Sequence, residues 1–117
     1  MSLHVDKSQP NPETAILSLA GRLTMGPECR QLDSSVTELT KNGVKHVIID
    51  LSRLDGIDST GAGILVVCHS KLHKAHGSLR IAGAQGIVHE TLLMIHVDRL
   101  VPFFPTAVEA TQNVPAS

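Results

Sequence analysis

Residues 46–63 read His46-Val47-Ile48-Ile49-Asp50-Leu51-Ser52-Arg53-Leu54-Asp55-Gly56-Ile57-Asp58-Ser59-Thr60-Gly61-Ala62-Gly63. The first six form a β-branched and aliphatic run with little alternation, the pattern of a strand covered on both faces. The segment Leu54–Gly63 then leads into a helix. Asp58, Ser59 and Thr60 put a carboxylate and two hydroxyls at its start, where side-chain oxygens satisfy orphan amides. This predicts a strand over His46–Leu51 and a helix from near Ser59 to about His76, stopped by Gly77. Leu65, Cys68, Leu72 and Ala75 supply the helix's inward stripe.

The flanking sequence repeats the alternation of strand and helix. On the N-terminal side, Leu3–Asp6 reads as a short strand and Ser8–Pro12 as a loop, because two prolines fix φ and remove donors. Thr14–Ala20 is a second strand, antiparallel to the first. Gly26-Pro27-Glu28 opens a helix with proline at its first position and an acid at its positive end. Cys29, Leu32, Val36 and Leu39 form its apolar face, and Asn42-Gly43 ends it. On the C-terminal side, Leu79–Ala82 is a strand and Ala84–His96 a helix with Val88, Leu92 and Ile95 inward. Leu100–Phe103 is a last strand, with Pro102 marking an edge. Thr106 caps a final short helix before the polar tail Gln112–Ser117. The order β-β-α-β-α-β-α-β-α predicts one α/β domain over residues 1–117, ordered from about 3 to 110. Its mixed sheet has four to five strands, with about four helices and parallel pairing in the later part.

Composition narrows the function. Ten basic and eleven acidic residues give a net charge of −1, so no basic excess points to nucleic acid. Two phenylalanines, without tyrosine or tryptophan, give no stacking platform for single strands. Two distant cysteines do not make a disulfide scaffold. The N-terminus lacks the basic-then-apolar pattern of a signal peptide. The longest apolar stretch, Gly61–Cys68, falls far short of the ~18 residues a membrane span needs. These features predict a cytoplasmic protein with no membrane insertion.

Motifs for catalysis fail on inspection. A nucleophile elbow around Ser59 needs glycine two residues earlier, where Ile57 stands. Gly61-Ala62-Gly63 begins a dinucleotide fingerprint, but the third glycine position holds Val66. No Walker lysine follows either glycine run. His69, His73 and His76, at spacings of four and three, share a predicted helix face that could ligate zinc, or simply form a solvated face among Lys71 and Lys74. Cys68 reads as a small core residue, and Met94, Phe103 and Phe104 as core or edge packing. Asp58-Ser59 therefore has two readings: a helix cap, or a place where a phosphate on Ser59 sits against a helix N-terminus. In the second reading, small residues at Gly56, Gly61, Ala62 and Gly63 let another protein's backbone approach.

The element order, together with Leu19-Ala20-Gly21-Arg22-Leu23, Val47–Ser52, Ile57-Asp58-Ser59-Thr60-Gly61 and Gly77–Gly83, resembles the STAS domain, the fold of bacterial anti-sigma-factor antagonists. The resemblance spans about Leu3 to Ala110. It implies a non-catalytic partner-switching regulator that needs no cofactor. Its partner would be an anti-sigma factor that is also a serine kinase of the histidine-kinase-like fold, bound when the antagonist is unphosphorylated. Phosphorylation on Ser59 would release it, and a PP2C-type serine phosphatase would reset the switch. Partner contacts would fall on Asp55, Gly56, Asp58, Ser59, Thr60, Gly61 and Ala62, with Asp58 orienting the serine. A homodimer is compatible with this picture. Thr24 departs from the pattern, since the family often has an acid there. An alternative is a STAS-type accessory subunit of a lipid-transport ABC system, docking on its ATPase without obligatory phosphorylation.

Overall fold

The computed structural model of the chain describes residues 3–112. Five strands and four α-helices alternate as β1 (Leu3–Asn11), β2 (Thr14–Leu23), α1 (Pro27–Lys41), β3 (His46–Ile57), α2 (Ser59–Lys74), β4 (Ser78–Ala82), α3 (Gly86–Met94), β5 (Phe103–Phe104) and α4 (Ala107–Gln112). A 3-10 turn, Val97–Arg99, lies between α3 and β5. The strands form one sheet in chain order. β1 is antiparallel to β2, and every later neighbouring pair is parallel. This is the mixed α/β sheet that the alternation predicts.

Each sheet face has its own cover. Leu17 and Leu19 of β2, Val47 and Ile49 of β3 and Ile81 of β4 point to one side, under Leu32 and Val36 of α1, Leu65 and Leu72 of α2, and Val88 and Leu92 of α3. The opposite face carries Ile48 and Ala82, packed with Ala110 of α4, and with Ile16, Phe104 and Ala107 around them. A run of consecutive apolar residues in β3 follows from burial on both sides.

Several boundaries differ from the sequence reading. Ser8–Asn11 belongs to β1 rather than to a loop. Pro10 falls where the β1–β2 register shifts, between Ser8 and Asn11, so its missing N–H removes no ladder bond there. β3 continues to Ile57, beyond the predicted Leu51, because its pairing with β2 is irregular at two places. β2 advances two residues from Ser18 to Ala20 while β3 advances three, from Asp50 to Arg53. Such an insertion re-aims the following side chains. Leu51 and Leu54, three apart, are therefore both buried.

The helix ends also shift. α2 stops at Lys74, and Ala75, expected in the core, is exposed. The left-handed residue after it is His76, with φ 64°. Its N–H reaches the His73 carbonyl at 3.0 Å, and the Gly77 N–H reaches the Leu72 carbonyl at 2.7 Å, which together make a Schellman closure. α3 ends at Met94, earlier than expected. Ile95 and Met94 are exposed, and His96 turns left-handed with φ 63°. The last strand is Phe103–Phe104, so Leu100 lies outside it and is exposed. Thr106 does cap α4, its hydroxyl accepting from the Glu109 N–H at 3.1 Å. The expected tail beyond Gln112 lies outside the described residues.

Candidate functional site

The parallel pairing of β2 and β3 ends at Leu23 and Ile57, side by side. The two following loops therefore leave the sheet together, and α1 and α2 begin as neighbours. Asp58 is the N-cap of α2 and joins the two segments. Its Oδ1 accepts from the Gly61 N–H at 2.7 Å, closing the first turn. Its Oδ2 accepts from the Met25 N–H at 2.9 Å, fastening the loop before α1. The Asp58 N–H approaches the Leu23 carbonyl at 3.4 Å. The Met25 amide first, and the Gly61 amide second, hold the Asp58 carboxyl below the usual carboxylate range.

The structure divides the predicted site residues into two groups. Asp55, Ser59 and Thr60 are exposed and Asp58 is half-buried. Among the described residues, the Ser59 side chain makes no hydrogen bond, so its hydroxyl stands free on the first turn of α2. Gly56, Gly61 and Ala62 are buried, and Gly61 is small for a reason internal to the fold. A Cβ on Gly61 would lie 2.0 Å from the Leu23 carbonyl oxygen. One on Gly56 would meet the Arg22 guanidinium at 3.2 Å. At Gly61 the close backbone neighbour is the Leu23 carbonyl of this chain itself. Gly63 differs, being exposed with open space around it.

Beyond Ser59, the outward face of α2 continues through Thr60, Gly63, Val67 and Ser70, none of them charged. Beside it stands Met25, 72% exposed. Sequence reasoning passed over Met25, whose tie to Asp58 spans 33 positions. The available signal was the parallel pairing of β2 and β3, which brings their C-terminal ends to one edge. Thr24 contributes its carbonyl, which accepts from the Cys29 thiol at 3.3 Å.

The histidine face does not assemble as predicted. The His69 and His73 rings stack with centroids 6.0 Å apart, but His76 has left the helix. Among the described residues, no group of three or more His, Cys, Asp or Glu side chains is arranged to hold a metal ion. Cys68 is fully buried, and burial pushes its thiol up to about 12. No helix of the described residues is long and apolar enough to cross a membrane.

The family profile described as the STAS domain matches residues 7–110, nearly the whole sheet and all three of its parallel crossovers. The chain belongs to the STAS domain family. This STAS domain superposes on an anti-sigma factor antagonist from Mycobacterium paratuberculosis with a TM-score of 0.84 at 20% identity, covering 97% of this chain and 94% of that one. The antagonist SpoIIAA in its unphosphorylated form gives 0.81 at 18% identity, with 93% and 94% covered. Its phosphorylated Bacillus form gives 0.73 at 17%, with 93% and 97% covered. The murine Solute Carrier 26 member A9 anion transporter gives 0.73 at 16%, with 90% of this chain and 18% of the transporter covered. At these identities the likeness carries the fold of the STAS domain.

Proposed function

We propose that this STAS domain is an anti-sigma-factor antagonist, a non-catalytic regulator whose partner binding is switched by phosphorylation of Ser59. The observation that carries the reading is the Ser59 hydroxyl, exposed and free of side-chain bonds on the first turn of α2, beside the Asp58 clamp. A kinase needs an accessible hydroxyl, and the clamp holds the first turn that presents this one. Among the described residues, no base hydrogen-bonds to the hydroxyl to make it a nucleophile.

The surroundings explain how one phosphate would change partners. The uncharged face Thr60-Gly63-Val67, with Met25 beside it, suits close contact with a protein surface. A phosphoryl group would bring about −1.5 to −2 charges into that contact, next to Asp55 and Asp58. Burying it without a cationic partner costs roughly several kcal/mol, enough to change occupancy by orders of magnitude without a change of fold. The expected partners are an anti-sigma factor with a histidine-kinase-like serine kinase fold and a PP2C-type phosphatase. The existence of SpoIIAA in phosphorylated and unphosphorylated forms supports the reading by analogy of fold.

The test is mass spectrometry of the protein incubated with ATP and each histidine-kinase-like anti-sigma factor of its own organism. One phosphoryl group on Ser59, absent from Ser59→Ala, is expected. Ser59→Ala should stay folded and bind the anti-sigma factor constitutively, while Ser59→Asp and the phosphorylated protein bind at least tenfold more weakly. No modification by kinases shown to be active would overturn this reading in favour of an accessory subunit docking on a transport ATPase. Equal binding by all forms would remove the electrostatic switch.

A further inference from the structure

On the sheet face that carries α4, far from Ser59, lies a cluster that the partner switch does not use. Arg80 of β4 is only 9% exposed and His46 of β3 only 7%. In the β3–β4 register His46 lies opposite Ser78, and Ile48 opposite Arg80. The His46 Nδ1 and the Ser78 Oγ are 2.8 Å apart, and the Arg80 Nε donates to the same Oγ over 3.5 Å. The guanidinium lies over the Phe104 ring, its carbon 5.6 Å from the centroid.

Arg80 brings a fixed positive charge to the cluster, and the Glu13 carboxylate opposes its effect at His46. A guanidinium stays charged at any working pH, and the Arg80 stem is buried while its Nη edge keeps access to solvent. No carboxylate lies within ion-pair distance of Arg80 among the described residues. Its titratable neighbour is His46, held below its ordinary value by burial first and by the Arg80 charge second. One arrangement satisfies all three groups: Arg80 Nε–H donates to Ser78, and the Ser78 hydroxyl donates to a neutral Nδ1. Arg80 is thus held by Ser78 at its Nε edge, with its guanidinium carbon over the Phe104 ring. The Nη edge has no acceptor among the described residues. That free edge is the fork that takes carboxylate or phosphate oxygens in pairs.

We propose that Arg80, positioned by Ser78 and Phe104 and backed by His46, binds a small oxyanion, the phosphate or carboxylate group of a soluble ligand. Arg80 pairs with Ile48, and β3 runs nine residues further to Ile57. That is roughly 30 Å of strand. The anion would therefore occupy a place separate from the Ser59 contacts.

The experiment titrates the full chain with inorganic phosphate, and separately with acetate, against chloride at constant ionic strength. Side-chain and backbone NMR signals are followed. Saturable shifts at the Arg80 Nε–H and around Ser78 and Phe104 are expected, with the Asp58–Gly61 signals still. Saturation by phosphate alone assigns a phosphate ligand, and by acetate alone a carboxylate. Binding should weaken at least tenfold in Arg80→Gln and several-fold in Ser78→Ala, which keeps the guanidinium and guards against a folding defect in the first variant. No saturable shift with either anion, or undiminished shifts in folded Arg80→Gln, would overturn the proposal.

Discussion

At the scale of single residues, Asp58 is the side chain on which the candidate site depends. The sequence identifies it as a helix cap, and the Gly61 contact fulfils that role. The second contact, to Met25, makes it a tie between two helix starts. Asp58→Ala should lower unfolding free energy at pH 7 by about 1–2 kcal/mol, the range for lost caps. Because the folded carboxyl titrates below its unfolded value, this stabilisation is fully present above the unfolded value of about 3.9 and disappears as pH falls through the folded one. Urea unfolding of both proteins at pH 7 and pH 3 checks this. A difference that does not shrink at pH 3 would contradict a charge-dependent clamp.

At the scale of elements, α2 shows how a helix terminus divides labour between adjacent residues. Glycine is the usual left-handed terminator, and Gly77 invites that reading. The left-handed residue is instead His76. Gly77 is required for a different reason: a Cβ there would sit 1.8 Å from the Lys45 carbonyl oxygen. His76→Gly should therefore stabilise the protein by about 1 kcal/mol by relieving left-handed strain. Gly77→Ala should destabilise it by about 3 kcal/mol or more, since backbone must move. Thermal unfolding of the two variants would show shifts of opposite sign, and two shifts of the same sign would refute the assignment. Elsewhere the apolar periodicities of α1 and α2 locate their buried faces correctly. The predicted stripes fail at Ala75 after α2 and at Ile95 after α3, where the helices have already ended.

For the whole molecule, the two sheet faces set accessibility. The side chain of Cys68 lies under α2 against the central strands, fully buried, with its thiol pushed to about 12. Thiolate formation therefore requires opening of the core. At pH 8, Cys68 should resist a thiol reagent in native buffer, with labelling that accelerates as urea approaches the unfolding midpoint. Prompt labelling without denaturant would contradict the packing of α2. Lys71 ties α2 to α1 through Asp33 and Thr37, at the rim of the same core.

Order and type of elements, the antiparallel first pair, the core stripes of the helices and the Asp58 cap were legible in the sequence. Each is written in contacts a few residues apart, through periodicity, β-branching and capping chemistry. Strand extent was not. The irregular β2–β3 register that carries β3 to Ile57 exists only once two strands are side by side. Nor was the inward use of Gly61 and Ala62, because a small residue shows that space is short without showing whose atoms fill it. The Met25–Asp58 tie and the Arg80–Ser78–His46 cluster join residues brought together by parallel pairing. Such proximity belongs to the tertiary structure, where the register of neighbouring strands decides which distant residues meet.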